Sequence, residues 1–158
     1  MVKEIYKEIK LITSYLNNDE ISKVIEALKL SEQAHSNQLR KSGDPFITHP
    51  LEVAKILTSI KLDSDSIVAG LLHDTLEDTN LNINEISKNF GDQIVELVEG
   101  LTKINKYSLK VNNQKFGENY KKLILATTKD LRVILIKLAD RLHNMRTIKF
   151  IKDNNKKT

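Results

Sequence analysis

The chain has 158 residues, a length typical of one domain, and its 40% apolar and 29% charged residues give a globular balance. It contains no cysteine, which excludes disulfides, cysteine nucleophiles, zinc fingers and iron–sulfur clusters, so any metal must be held by nitrogen and oxygen. The net charge of +4 conceals an asymmetry: residues 1–100 carry 10 Lys/Arg and 17 Asp/Glu, and residues 101–158 carry 15 and 4. An acidic half could hold a cation, and a basic half could hold a polyanion.

Helical periodicity dominates the sequence, and five glycines and two prolines provide few of the breaks that all-β or Rossmann-type folds need. The predicted helices lie at residues 5–16, 21–39, 49–60, 65–78, 82–91, 92–103, 118–128 and 131–148. Composition indicates a turn at 40–45, a basic loop at 105–117 and a disordered polar tail at 152–158. We therefore predict an all-α fold, a single-domain bundle of about eight helices over residues 1–158.

Residues suited to capping mark several of these helix starts. Pro50 favours the first helical position, which makes His49 the expected N-cap of the third helix. The other expected N-terminal caps are Asp63 or Ser64, Asn82 with Glu85, and Asp130. The longest apolar run, 67–72, is far shorter than the roughly 20 residues that cross a bilayer, and the charged start does not resemble a signal peptide. We expect a cytoplasmic protein without a membrane partner.

The fourth predicted helix combines an apolar surface with ionisable groups. Its first turns are apolar all round, which is typical of a buried helix. His73 and Asp74 follow, and then Glu77 and Asp78, with no lysine or arginine beside them in sequence. A histidine–carboxylate pair alone could be a satisfied polar network in the core. Four ionisable groups in six residues need partners from elsewhere, and a metal ion could supply them.

The eighth predicted helix is also largely apolar and carries one polar stripe. That stripe consists of Lys137, Asp140, Arg141 and Asn144, at spacings of three and four residues. The stripe could form intrahelical salt bridges, or Asp140 could face a cation. A histidine at a helix N-terminus, as predicted for His49, favours its neutral form, which can bind a metal. The candidate ligands are His49, His73, Asp74 and Asp140. This set suits Mn²⁺, with Fe²⁺ and Zn²⁺ as alternatives. His35 and His143 are interpreted as structural.

Four segments in this order resemble the HD-domain metal-dependent phosphohydrolases, and more specifically the alarmone-hydrolase domain of the RelA/SpoT family. They are residues 40–50, 69–79, 90–103 and 133–147, and the resemblance covers about residues 20–150. It implies hydrolysis of the 3′-pyrophosphate of ppGpp and pppGpp to GDP or GTP plus pyrophosphate. It assigns His49, His73, Asp74 and Asp140 to Mn²⁺, and Glu77 and Asp78 to catalysis. It assigns Arg40, Lys41, Ser42, Asn144 and Thr147 to binding of the substrate.

Two features of the sequence depart from that family. Phe46 stands where the family often has tyrosine, so one hydroxyl is absent. The chain also ends soon after the fourth segment, so we expect no synthetase activity and a nucleotide pocket that lacks one wall. The alternatives are a broader HD nucleotide phosphohydrolase and a folded metal-binding remnant with little activity. A nucleic-acid-binding module is the weakest alternative, because only the basic C-terminal part favours it. The sequence leaves the oligomeric state open.

Overall fold

A computed structural model describes residues 2–108 and 130–154, and within these ranges the chain is helical. Its helices are α1 Val2–Ile12, α2 Asn18–Ala34, α3 Thr48–Ser59, α4 Ser64–Leu72, α5 Thr75–Asp78, α6 Ile83–Phe90, α7 Asp92–Ser108 and α8 Arg132–Asn154. Extended pairing in this part of the chain is limited to one isolated bridge between Leu39 and Pro45. The predicted all-α class is confirmed. No helix of the described ranges is long and apolar enough to cross a membrane.

Helix α4 lies at the centre of the fold and packs against α2, α3, α7 and α8. Its residues from Ser66 to Leu72 are all buried, as the apolar sequence of this segment predicts. Gly70 lets α3 approach closely, because a Cβ atom at this position would lie 2.6 Å from Leu57 Cδ1. The close contact between α3 and α4 matters for the site, since His49 lies on α3 and His73 directly follows α4.

The local capping signals are largely confirmed. The Asp63 side chain accepts a hydrogen bond from the backbone N–H of Ser66 at the start of α4. Asn82 and Glu85 form the expected reciprocal capping box of α6, which ends at Gly91 with φ of +88°. Asp130 accepts a hydrogen bond from the backbone N–H of Arg132 in the first turn of α8. Each of these capping interactions joins residues a few positions apart, so it can be predicted from the sequence alone.

The prediction that His49 caps α3 is wrong. The helix begins one residue earlier, at Thr48, and His49 lies in its first turn. Backbone N–H groups of Thr48 and His49 already donate to the carbonyls of Pro45 and Phe46, and these turns lead directly into the helix. Pro50 is tolerated here because the first helical N–H groups have no intrahelical acceptor.

The fourth predicted helix is broken where its sequence becomes polar. It ends at Leu72, and a separate single turn, α5, follows from Thr75. His73 Nδ1 bonds with the carbonyl of Gly70 at 2.8 Å, and Thr75 Oγ1 donates to the carbonyl of Leu72 at 2.7 Å. These side chains compete for carbonyl oxygens that a continuous helix would pair with backbone N–H groups. The break places the candidate ligands at the end of a buried helix.

Other boundaries differ at chain turns. Helix α2 ends at Ala34 rather than residue 39. The backbone N–H groups of His35 and Ser36 donate to carbonyls of the last helical turn, and the chain turns away there. Helix α7 extends to Ser108, beyond the predicted end at residue 103 and into the predicted loop, and α8 extends to Asn154 rather than residue 148. The predicted helix at 118–128, most of the predicted loop and residues 155–158 of the predicted tail lie outside the described residues.

Candidate metal centre

The four candidate ligands converge although they come from three separate parts of the chain. His49 lies in the first turn of α3, His73 and Asp74 lie between α4 and α5, and Asp140 lies in α8. His49 Nε2 is 3.3 Å from Asp140 Oδ1 and 3.6 Å from Asp74 Oδ2. His73 Nε2 is 3.1 Å from Asp74 Oδ2 and 3.9 Å from Asp140 Oδ1. His49, His73 and Asp140 are buried, with donor atoms mutually within 4.8 Å.

These separations suit donors that share one divalent ion. Ligand atoms about 2.0–2.2 Å from an ion lie about 3.0–3.5 Å from each other in octahedral or tetrahedral arrangements. Three of the four donor separations are 3.1, 3.3 and 3.6 Å, close to that range. Two imidazole nitrogens and two carboxylate oxygens form a set that suits Mn²⁺, Fe²⁺ or Zn²⁺.

The ring of His73 presents a buried nitrogen that needs a positive charge beside it or a proton on it. With its Nδ1 donating to the carbonyl of Gly70, its Nε2 presents a lone pair. That Nε2 is buried and has no hydrogen-bond partner among the described residues. In the neutral ring its lone pair would face carboxylate oxygens of Asp74 and Asp140, which is unfavourable without a positive charge between them. Either a proton on Nε2, which would donate to Asp74, or a divalent cation would supply that charge.

His143 belongs to this centre, which corrects its assignment as an isolated structural histidine. Its Nδ1 lies 2.7 Å from Nδ1 of His49, and both rings are buried. Burial, with His49 and Arg40 nearby, lowers the pKa of His143 to about 4. A neutral His143 can accept the proton on His49 Nδ1, which leaves the lone pair of His49 on Nε2, towards the carboxylates. The spacing contains a signal for this position, since His143 follows Asp140 by three residues on one helix.

Asp140 is held by neighbours on its own helix. Lys137 Nζ lies 2.5 Å from Asp140 Oδ2, and Asn144 Nδ2 donates to Asp140 Oδ1 at 2.6 Å. The predicted polar stripe therefore forms around Asp140, although Arg141 lies on the exposed side of α8. These hydrogen bonds orient the carboxylate and leave Oδ1 close to both imidazoles.

The charges of the centre favour ionised carboxylates. Burial acts to raise the pKa of Asp140, but His49, His73 and Lys137 outweigh it and lower that pKa. Burial likewise opposes the net lowering of the pKa of Asp74, which the His73 and His49 rings cause. Burial lowers the pKa of His49, with His73 and Arg40 adding to the effect. The carboxylates of Asp74 and Asp140 raise the pKa of His73 against its burial. A bound cation would compete with a proton at this nitrogen.

The predicted substrate-binding residues lie partly beside this centre. Arg40 Nη2 donates to Asn144 Oδ1 at 3.0 Å, and Asn144 in turn donates to Asp140. The Arg40 side chain is partly buried, which lowers its pKa, and its Cζ lies 6.0 Å from the centroid of the Phe46 ring. Thr147 lies one turn further along α8, where its hydroxyl bonds with the carbonyls of His143 and Asn144.

Two other predicted contacts are exposed in the turn before α3. Lys41 and Ser42 lie on its surface, and Ser42 Oγ donates to Asp44 Oδ2 at 2.8 Å. The turn itself is fixed, because the N–H of Arg40 donates to the carbonyl of Asp44 at 2.8 Å. Arg40 therefore faces the centre from a defined loop, whereas Lys41 and Ser42 lie at its outer edge.

Glu77 and Asp78 lie on α5, one turn beyond the His73–Asp74 pair, and both are exposed. Partial desolvation of Asp78 and the neighbouring Asp74 carboxylate raise the pKa of Asp78. Both residues line a cleft of about 760 Å³, together with Gln33, Gln38, Asn80 and Glu85. None of the four candidate ligands lines this cleft, so the two carboxylates follow the ligand pair along the chain and are in reach of solvent.

Comparison with known proteins agrees with this architecture. The family model described as HD domain matches residues 27–158. The bifunctional (p)ppGpp synthase/hydrolase SpoT of Escherichia coli (strain K12) is 45% identical over 139 residues, which cover 88% of this chain and 20% of that protein. A GTP pyrophosphokinase of Myxococcus xanthus is 46% identical over 140 residues, which cover 87% of this chain and 18% of that protein.

A solved structure gives the same result at the level of the fold. It is described as "A metazoan ortholog of SpoT hydrolyzes ppGpp and plays a role in starvation responses". It is similar with a TM-score of 0.62 and 29% identity, covering 80% of this chain and 70% of that one. The chain spans about one fifth of the length of the curated relatives named above. Because the family model matches most of its residues, the chain belongs to the HD domain family.

Proposed function

We propose that this domain removes the 3′-pyrophosphate of ppGpp and pppGpp, with Mn²⁺ as its divalent ion. The products are GDP or GTP and pyrophosphate. The observation that carries the proposal is the convergence of two imidazoles and two carboxylates, with the Glu77–Asp78 pair one helical turn further along the chain. The substrate is inferred from similarity to relatives whose names include ppGpp hydrolysis.

His49, His73, Asp74 and Asp140 would hold the ion. When bound, it would supply positive charge to phosphate oxygens and make nearby water more acidic. His143 keeps the ring of His49 in one orientation, and the carbonyl of Gly70 does the same for His73. Lys137 and Asn144 fix the carboxylate of Asp140. Such outer hydrogen bonds commonly contribute about 10–100-fold to metal affinity.

Glu77 and Asp78 would act on the water that enters the product. Either carboxylate can orient the water and take its proton, because both lie one turn beyond the ligand pair. The raised pKa of Asp78 brings that group closer to the pH at which a base works best. Hydrolysis breaks the bond between the 3′-oxygen and the adjacent phosphorus. The water supplies its oxygen to the pyrophosphate that leaves, and a proton goes to the 3′-oxygen to form the 3′-hydroxyl.

Arg40 would hold the base of the nucleotide. A planar guanidinium can stack on a purine, and the bond to Asn144 fixes the direction of that plane. Asn144 and Thr147 would lie near the nucleoside, with Lys41 and Ser42 at the outer edge. This arrangement connects the base-binding group to the ligand Asp140 through one intervening amide.

The test is incubation of the chain with ppGpp and Mn²⁺, with and without a chelator, followed by measurement of GDP and pyrophosphate. We expect hydrolysis that needs the ion and prefers ppGpp over GDP and GTP. Changing Glu77→Gln with Asp78→Asn should lower the rate by about 10²–10⁴, the usual contribution of acid–base catalysis. Metal-dependent stabilisation should persist in this variant.

The control is Asp19→Asn with Glu26→Gln, the same change in charge on the exposed surface of α2. This control should retain full activity. Loss of ion binding in the Glu77/Asp78 variant would show that these carboxylates are ligands rather than catalytic groups. Absence of ppGpp hydrolysis at all substrate concentrations, with the ion bound, would contradict the proposed function.

A further inference from the structure

The Glu77–Asp78 pair lies on a very short element. Helix α5 has four residues, and one turn of helix is not stable by itself. Its internal bonds run from the N–H groups of Glu77 and Asp78 to the carbonyl of Asp74, and from Thr79 to Thr75. Carbonyls at the end of a helix need hydrogen-bond donors from outside it. The position of both carboxylates therefore depends on what holds the end of α5.

Gln38 holds that end from a distant part of the sequence. Its side-chain Nε2 donates to the backbone carbonyl of Asp78 at 2.5 Å, across 40 residues. Its Oε1 lies 2.8 Å from His35 Nδ1. The two ends of one amide thus join the end of α2 to the end of α5.

His35 fixes which way this amide points. The ring of His35 is 2% exposed and stacks on Phe46 with centroids 4.3 Å apart and planes 20° apart. With Nδ1 as the donor, it selects Oε1 of Gln38, and Nε2 of Gln38 is then directed to Asp78. The backbone of Gln38 is also held, because its carbonyl accepts from the N–H of Phe46 at 3.0 Å.

We propose that Gln38 is a positioning residue for hydrolysis: its amide, oriented by His35, fixes the Glu77–Asp78 turn relative to the metal centre. It also connects that turn to the loop that carries Arg40, two residues further along the chain. The inference rests on the proposed function and concerns the placement of its acid–base groups. A displacement of about 1 Å in such groups can lower the rate by about 10²-fold.

Gln38→Glu tests the link with little change in size. It keeps an oxygen for His35 but replaces the donor to Asp78 with an acceptor, so two oxygens would face each other. The matched control is Asn37→Asp, the same chemical change at the neighbouring exposed residue of the same cleft. Gln38→Leu is a second variant, which removes both bonds without adding charge.

Two measurements on the full chain separate the inference from the function. Hydrogen exchange at the amides of Glu77, Asp78 and Thr79 reports on α5 without any need for hydrolysis. We expect faster exchange in both Gln38 variants and not in Asn37→Asp. Steady-state kinetics with ppGpp and Mn²⁺ should show kcat lowered at least about tenfold, KM within about twofold, and unchanged metal-dependent stabilisation.

Unchanged exchange in both Gln38 variants would overturn the inference. Faster exchange with kcat equal to that of the wild type would also overturn it, since the link would then be structural only. If the wild-type chain does not hydrolyse ppGpp, the proposed function is refuted, and the catalytic part of this inference with it. If the wild type hydrolyses ppGpp and the Gln38 variants keep its exchange rates and its kcat, the inference is refuted and the proposed function is not.

Discussion

Asp140→Asn is the sharpest test of the metal centre, because this residue brings α8 to the two histidines. An asparagine keeps the shape of the side chain and one oxygen that can accept from Lys137. It removes the negative charge that lies 3.3 Å from His49 Nε2 and 3.9 Å from His73 Nε2. The fold should therefore persist, while the ion loses one of its two carboxylate ligands.

The magnitude follows from linkage between binding and folding. Divalent ion at a hundredfold excess over Kd stabilises the folded chain by about 2.7 kcal/mol. Loss of an outer partner alone weakens binding by about 10–100-fold, so loss of a ligand should reach at least about 100-fold. At the same ion concentration the variant would then gain only about 0.4 kcal/mol. At about 2–4 °C per kcal/mol, Tm should rise by about 5–11 °C in the wild type and about 1–2 °C in the variant.

The assay is thermal unfolding with Mn²⁺ and with chelator, combined with elemental analysis of the purified protein. Asp65→Asn is the control, since it removes a carboxylate that pairs with Lys23 at 2.8 Å on another surface. This control should keep the full Mn²⁺-dependent rise in Tm. An equal rise in Asp140→Asn and wild type would refute the reasoning, because Asp140 would then not be a ligand.

Three further predictions concern other parts of the molecule. Arg40→Ala should raise KM for ppGpp about tenfold, as the loss of a desolvated stacking contact predicts, while the Mn²⁺-dependent rise in Tm persists; an unchanged KM would contradict the stacking role. His143→Asn should reduce the loss of stability of the metal-free protein as pH falls from about 6.5 to about 4. The reason is that His143 takes up a proton near pH 6.5 in the unfolded chain, but only near pH 4 in the folded chain, where its pKa is about 4. Urea unfolding at several pH values measures this loss of stability. Identical pH profiles for the variant and the wild type would contradict the prediction. Gly70→Ala should destabilise the protein in urea, because displacing Leu57 costs about 1–3 kcal/mol and exceeds the gain in helix propensity of about 1 kcal/mol; equal or higher stability would show that Leu57 moves freely.

The helices could be predicted from the sequence because the residues that start and end a helix act over short distances along the chain. The Asn82–Glu85 capping box and the glycine at position 91 each act within one turn, and both are confirmed. The break after Leu72 is different in kind, since it depends on side chains of His73 and Thr75 that bond with carbonyls of the preceding turn. Periodicity describes only which face of a helix is apolar, so it continues through such a break.

The ligand set could be proposed from the sequence because few residue types suit a metal, and the resemblance made that choice specific. The structure brings His49, His73, Asp74 and Asp140 together, and their role as ligands stays a prediction. The contact between His49 and His143 could not be predicted in the same way. It joins residues 94 positions apart and exists because α3 and α8 pack directly against each other.

The formal charges around Asp140 set an order of binding. With both imidazoles neutral, the carboxylates of Asp74 and Asp140 are balanced by Lys137, at 2.5 Å from Asp140, and by Arg40, linked through Asn144. The carboxylates of Glu77 and Asp78 add negative charge beside the ligand pair, so the centre without a cation repels a polyanion. A divalent cation offsets that charge and presents a positive charge to phosphate groups at short range. The cation should consequently load first and the nucleotide second, so that nucleotide affinity becomes a measure of cation occupancy.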